Sequence, residues 1–495
     1  MKTLNRFCFV VIVLIVLTIV SCSKNTQQNN SASDNSKNKT SDDAVSSSNS
    51  NRLNPSGRWL TDSKGRTVIL HGFNMMNKFP PYTISSTGFN EEDAKMIADA
   101  GFNAMRVGII YSGVEPTPGV YDDNYINDIV KTVEMLNKYG ILSLVDMHQD
   151  IYGSVFHGEG FPAWATLTDG LPIDSNYNFP NAYFESPAIQ RAFDNFWNNK
   201  PGPDGIGLQD HYTAAWAHVA KRFANVEGVM GYDLMNEPFP GSRWKECSAI
   251  GCGDFDEKFL TGLYNKLIPA IRKNDASTII FYEPNVLFDF GVATTVPVIN
   301  GERLGFSFHP YVQTPRGLGM AQQHSIATGT ALLASEWGAT TDTSAILAGV
   351  NDMDVAMMSW LYWAWANKTP FNIPGGVGGL PGGSENQGIV LDLTKPRTSG
   401  NVHMDRLNAL TRVYPRAITG IPVSFSFNHT SKVFEMVYKP SNAQGETEIF
   451  CPKIFYPNGY TVTVKGATVA SGQNDIILKL KNDSGADVVE VEVKP

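Results

Sequence analysis

The chain has 495 residues, 42% of them hydrophobic and 18% charged. That excludes a disordered or fibrous protein and supplies enough apolar mass for one large domain and a smaller one. The formal net charge is -9, which weighs against nucleic acid or an anionic membrane surface as the main partner.

The first segment reads as an export signal. Lys2 and Arg6 precede an apolar run from Phe7 to Val20, a basic n-region followed by an h-region. The run is shorter than the roughly 18–20 residues a membrane span needs. It closes on Ile19-Val20-Ser21-Cys22, which resembles a bacterial lipobox. The resemblance implies removal of residues 1–21, a diacylglyceryl group on Cys22 and a protein anchored at the membrane or cell surface. A plain signal peptide, with the protein released, is the alternative. Residues 22–52 are almost all Ser, Asn, Asp, Lys, Thr and Gln, too polar to offset the entropy of ordering, and read as a tether.

Folded sequence begins near Leu53. Apolar strand patterns at 67–75, 104–110, 141–147, 230–236, 278–283, 304–309, 331–336 and 357–364 alternate with helical ones. Asn90-Glu91-Glu92-Asp93 opens the first helix with an N-cap and an acidic first turn. Further helices are expected at 123–139, 211–225, 255–274, 318–329 and 342–353. The alternation predicts a (β/α)8 barrel over 53–413. An open doubly wound sheet fits less well, because no glycine-rich phosphate loop follows the first strand. From 414 to 495 the pattern changes to short alternating runs separated by turn residues, which predicts a small antiparallel β-sandwich. Cys247 and Cys252 are placed to form a local disulfide, which export permits, and Cys451 is expected to be buried.

Polar residues gather where the barrel strands should end: Arg106 on the second; Asp146, His148 and Asp150 on the third; Asn236 and Glu237 on the fourth. Glu283 ends the fifth, His309 and Tyr311 the sixth, Glu336 and Trp337 the seventh, Trp363 and Trp365 the eighth. The C-terminal mouth of a barrel is where catalytic groups sit, and two strand-end glutamates suit two-carboxylate glycoside hydrolysis. A lone Arg or His at such a place is usually a satisfied core group; the joint pattern is the signal.

Asn236-Glu237-Pro238 and Glu336-Trp337-Gly338 resemble the motifs of glycoside hydrolase family 5, a retaining (β/α)8 family. Arg106, His148, His309, Tyr311 and Trp365 fall where that family keeps supporting residues. Met75-Met76-Asn77-Lys78 and Asp146-Met147-His148-Gln149-Asp150 resemble the endoglycoceramidase group within it. The resemblance implies cleavage of the β-glycosidic bond between an oligosaccharide and ceramide, without a cofactor or metal, by a protein expected to be a monomer. It implies that Glu237 is the acid/base and Glu336 the nucleophile, with the carboxyls about 5–5.5 Å apart. Asn236 would hold the sugar 2-OH, Trp365 would stack under the sugar, and Lys78, His148 and Asp150 would hold glucose hydroxyls. Glu283 is expected to be structural or substrate-binding, and Glu159 solvated or in contact with glycan. The Gly- and Pro-broken apolar stretch 369–381 is expected either to line a lipid channel or to pack on the barrel. The alternatives are a family 5 glucanase, cellulase or mannanase, a glucosylceramidase-like relative, and a non-catalytic glycan-binding surface protein.

Overall fold

The computed structural model describes residues 52–173, 179–248, 250–311, 314–366 and 387–495. The signal, Cys22, nearly all of the tether and the 369–381 stretch lie outside the described residues.

Three short strands come first: β1 (Asn54–Ser56), β2 (Trp59–Thr61) and β3 (Thr67–Val68). The barrel follows, with β4 (His71–Met75), β5 (Ala104–Ile110), β6 (Leu142–His148), β7 (Val229–Asp233), β8 (Ile279–Tyr282), β9 (Leu304–Phe308), β10 (Ala331–Gly338) and β11 (Trp360–Trp363). These eight close into a ring in chain order, with every neighbouring pair parallel. The helices foreseen from the sequence are present, including Glu91–Asp99 with its Asn90–Asp93 capping box. The sequence reading missed Pro187–Trp197 and Met404–Leu410.

Alternate strand residues face the barrel axis, which sorts the interior into layers. At the closed end Ala104, Leu144, Phe281, Leu333 and Leu361 form one apolar cluster, joined from below by Leu53, Leu60, Val68 and Leu70. Gly231 and Gly305 make room for the Phe281 ring; a Cβ at either would lie within 2.6 Å of it. Two residues further along each strand the interior turns polar, with Asn74, Arg106, Asp146, Asp233 and Ser307, all fully buried. Water is excluded below and the polar mouth opens above.

The remaining strands are β12 (Tyr414–Ile418), β13 (Gly420–Phe427), β14 (Phe434–Pro440), β15 (Thr447–Phe450), β16 (Thr461–Lys465), β17 (Ala467–Val469), β18 (Ile477–Asn482) and β19 (Val489–Lys494). They form the expected sandwich, which also takes in the three N-terminal strands. One sheet runs β1-β2-β3-β12-β15-β18-β17 and the other β13-β14-β19-β16. The N-terminal strands therefore belong to the sandwich sheet, with Val68 paired to Ala417 and Thr67 to Ile418. The stretch 67–75 reads as one strand because Thr67 to Leu70 runs without a break signal into His71. In the fold it leaves one sheet and enters another.

The two parts are also joined by a buried ion pair. Arg412 binds Asp354 of the helix Thr343–Val355 through Nε at 2.8 Å and donates to the Phe427 carbonyl at 2.7 Å. Arg412→Met leaves Asp354 buried without its partner and should cost about 3–5 kcal/mol. A lower urea midpoint measures this, and adding Asp354→Asn should recover part of the loss.

Candidate active site

Arg106 occupies the centre of the polar layer. Its Nε donates to Asp233 at 3.0 Å, and Nη1 to Glu336 at 3.0 Å and Asn74 at 3.3 Å. Nη2 reaches Glu283 at 2.8 Å, Asn236 at 3.0 Å and Asp146 at 3.0 Å. The planar fork of a guanidinium is what lets one cation satisfy so many acceptors.

Both motif glutamates sit above it. Glu336 accepts from Arg106 through Oε2 and from the Tyr311 hydroxyl through Oε1. Glu237 lies just past β7 with φ 45°, a left-handed backbone that a non-glycine residue holds only when its surroundings impose it. They do: its N–H donates to Glu283 Oε2 at 2.8 Å and its carbonyl accepts from Gln149 Nε2 at 3.0 Å. Its side-chain Oε1 lies 2.9 Å from His309 Nδ1. Asn236 accepts from Arg106 and donates to the Gln149 carbonyl at 3.0 Å; its amide has a second N–H for another contact. Sequence reasoning passed over Gln149. Its neighbours His148 and Asp150 carry the visible charge, while its amide fixes the turn that carries Glu237.

A second cluster adjoins the first. The Lys78 ammonium pairs with Asp150 and, at 2.8 Å, with Glu159. His148 Nδ1 lies 2.9 Å from Asp146, and Nε2 faces Asp150 at 3.5 Å. The structure thus brings Lys78, His148 and Asp150 together. Glu159 corrects the solvated alternative of its reading: it is buried against Lys78.

Trp365 is the other correction. It is 0% exposed, donates its indole N–H to Asp93 at 2.9 Å and packs on Phe73. A ring held in this way cannot stack under a sugar. Trp363 is half-buried instead, with Lys78 Nζ 4.7 Å above its ring and His148 stacked at 5.8 Å. Residues two apart share a face only while the strand continues, and β11 ends at Trp363. Cys247 and Cys252 are disulfide-bonded, and Cys451 is free and buried.

Among the described residues, three groups bring together ligand types a metal can use: His148, Asp150 and Glu159; Glu237, Asp289 and His309; Asp146, Asp233 and Glu283. Lys78 already supplies the positive charge in the first and Arg106 in the third.

Carboxyls outnumber cations here, and the titration of the site follows. Burial pushes Glu159 up to about 8, against the pull of Lys78. Burial also holds Asp233 and Asp289 well above the usual carboxylate range, reinforced by Glu283 and Glu237 respectively. Glu336 is raised by burial, with Glu237 adding to the shift and His309 and Arg106 opposing it. Burial opposes protonation of His309, but Glu283 and Glu336 outweigh it. His148 is likewise opposed by burial and by Lys78, yet hydrogen bonds with Asp146 and Asp150 hold it at about 9.

Comparisons with known proteins agree with this geometry. Residues 61–369 match the cellulase family, glycosyl hydrolase family 5, and residues 412–494 match the glycoside hydrolase family 5 C-terminal domain. The chain is a (β/α)8 glycoside hydrolase and belongs to family 5. An endoglycoceramidase from Cyanea nozakii is 30% identical over 454 residues, spanning 83% of this chain and 86% of that protein. Endo-glycoceramidase II from Rhodococcus sp. superposes with a TM-score of 0.71 at 28% identity, covering 88% of this chain and 99% of that one. A further structure of that enzyme, in complex with ganglioside GM3, superposes at 0.70 and 26% identity, with the same coverage.

The His148 shift fixes a pH dependence. Its folded pKa lies above the unfolded value of about 6.5. Its stabilising contribution is therefore complete below about pH 6.5 and is lost as pH rises through about 9. Calorimetry across that window should show a falling melting temperature, and His148→Asn should flatten the slope.

Proposed function

We propose that this protein cleaves the β-glycosidic bond between the oligosaccharide and ceramide of glycosphingolipids, with retention. The observation that carries the reading is the pair Glu237 and Glu336, held by different partners at one barrel mouth. Glu336 is the nucleophile. Arg106 and Tyr311 donate to its two oxygens, which favours the anion and aims it. Glu237 is the acid/base: it protonates the departing ceramide oxygen and later takes a proton from water. His309 orients it.

The sugar rests on Trp363 in place of Trp365, and Asn236 meets its 2-OH. Lys78, His148 and Asp150 meet further hydroxyls, with Glu159 locking Lys78 in position. The endoglycoceramidases among its relatives, and the GM3 complex of one of them, support a ceramide-linked substrate over a glucan. The reading extends to export, a lipid anchor at Cys22, and a monomer that binds no nucleic acid.

The test is incubation with ganglioside GM3 and, separately, with cellopentaose, followed by chromatography of the products. Intact oligosaccharide plus free ceramide is expected, with turnover abolished in Glu336→Gln. Shortened cello-oligosaccharides beside untouched ganglioside would overturn the substrate and keep the mechanism. Glu237→Ala should lose about 10²–10⁴-fold in kcat/KM on ganglioside and much less in kcat/KM on an aryl glycoside whose leaving group needs no proton. Trp363→Ala should raise KM on ganglioside at least tenfold, whereas Trp365→Phe should lower stability and leave KM nearly unchanged.

A further inference from the structure

The mouth of the barrel carries an apolar rim that the chemistry at Glu237 and Glu336 does not use. Between β7 and the helix Thr261–Arg272, Cys247 and Cys252 are joined by their disulfide. Inside that ring Ser248 and Gly251 exchange backbone hydrogen bonds at 3.0 Å, which makes a tight turn with Ile250 at its tip. Ile250 is 81% exposed. The turn lies against the chain that follows β8: a Cβ on Gly251 would come within 2.4 Å of Thr295. On the helical turn Val286–Phe290, which also follows β8, Phe290 is 45% exposed. Its ring meets Phe184, which touches Trp244 and the buried Phe239, just beyond Glu237.

These side chains are held out by a braced framework. Asp256, buried just past the disulfide, accepts from the Asn285 amide at 2.7 Å and from both the N–H and the hydroxyl of Thr295 at 2.8 Å. Asn285 in turn caps the 286–290 turn through the Leu287 N–H at 3.1 Å, and the Val286 N–H donates to the Pro238 carbonyl at 3.0 Å. One buried carboxylate and one disulfide therefore tie both apolar projections to the segment that carries Glu237. A loop braced in this way cannot fold its Ile and Phe back onto its own protein, and exposed apolar groups gathered at the rim of a site mark a contact surface. Ile326 is as exposed, at 85%, but it lies near the end of the helix Thr314–Thr328, just before Ala331 of the closed end. A single exposed apolar residue of that kind needs no partner.

We propose that this rim, with Ile250 and Phe290 as its projections, docks on a zwitterionic lipid–water interface and brings the mouth to glycolipid head groups embedded there. The inference rests on the ceramide-linked substrate, whose sugar has to be reached while its ceramide lies in lipid. Charges around the rim come in opposite pairs. Arg243 pairs with Asp194 at 3.2 Å, Lys258 with Asp254 at 2.7 Å, and Lys245 adjoins Glu246. Apolar insertion rather than charge therefore holds the contact, and the net charge of -9 favours zwitterionic over anionic lipid. Trp244 suits such a boundary, with an apolar ring body and a polar N–H. A second copy seated on this rim would crowd the mouth, whereas a lipid surface supplies the substrate to it.

The experiment uses the full chain carrying Cys22→Ser, so that no acyl group contributes, and phosphatidylcholine vesicles with and without ganglioside GM3. Co-sedimentation with plain phosphatidylcholine vesicles reads docking without hydrolysis. Ile250→Asp and, separately, Phe290→Asp should each weaken it about tenfold, the effect of returning one apolar side chain to water. Ile250→Asp alters only an exposed side chain and keeps the test readable if Phe290→Asp does not fold. Added salt should leave binding unchanged, and Ile326→Asp should bind as the parent does. On GM3 in vesicles kcat/KM should fall with binding, whereas on an alkyl β-lactoside free in solution it should not move. Absence of parental binding, an equal loss in Ile326→Asp, or equal losses on vesicle GM3 and free lactoside would overturn the proposal. So would a parental dimer that Ile250→Asp dissociates while vesicle binding is unmoved, because the rim then belongs to a second copy. If the parent binds vesicles and cleaves the lactoside but leaves GM3 intact in vesicles and in detergent micelles, the docking stands and the ceramide substrate fails.

Discussion

One buried guanidinium sets the terms for this site. Arg106 is 0% exposed and contacts Asp146, Asp233, Glu283 and Glu336. Taking an ion from water costs several kcal/mol, and only good geometry and saturated hydrogen bonding recover it. Here the barrel register supplies that geometry: Asn74 lies opposite Arg106, and Asp146 opposite Asp233. The apolar plug below keeps the cluster dry from one side. Arg106 reaches Glu336 directly, and it reaches Glu237 through Glu283, whose other oxygen accepts the Glu237 N–H. Both motif glutamates are thus tied to a single cation, which fixes their relative placement more firmly than either loop could.

The same economy leaves the mouth short of positive charge. Asp150, Glu159, Glu237 and Asp289 share Lys78, His148 and His309 among them. A cluster of this kind stays folded by keeping protons: Glu159 titrates near 8, and Asp289 well above the ordinary range. Retained protons and oriented carboxylates are also what a site needs to hydrogen-bond neutral hydroxyls and to carry a proton to a leaving oxygen. The charge deficit that folding must tolerate is therefore the same property the proposed chemistry uses.

The strand ends were legible because a barrel writes them plainly: each apolar run stops at a polar residue, and those residues meet at one mouth. Arg106, Asn236, Glu237, His309, Tyr311 and Glu336 are visible on that basis. What stayed hidden depends on three-dimensional context. Trp365 and Trp363 are indistinguishable in sequence, and only the end of β11 decides which one enters the core. Thr67 and His71 sit in one apolar run yet belong to different sheets, because the change of partner leaves no mark in hydropathy. Glu159 reads as a loop carboxylate until the strand-like pairing of Asp150 and Glu159 folds it back onto Lys78. Gln149 stands inside a motif without a visible role of its own, and its importance lies in the backbone carbonyls of Asn236 and Glu237 that it holds.

The two glutamates are held in different ways, and the difference matches their proposed roles. Glu336 lies within strand β10, at an irregularity in its pairing with β11, and has both side-chain oxygens occupied by donors from Arg106 and Tyr311. Two donors on two oxygens hold the carboxyl in one direction, as the proposed nucleophile requires. Glu237 is fixed through its backbone, by Gln149 and Glu283 acting on a left-handed residue, while its side chain meets groups that themselves titrate. Its position is set, yet its protonation can change with little movement of the surrounding atoms. An acid that must later serve as a base needs that combination. The asymmetry follows from where each residue lies: Glu336 is within β10, at the irregular step of its pairing with β11, whereas Glu237 is already past the end of β7.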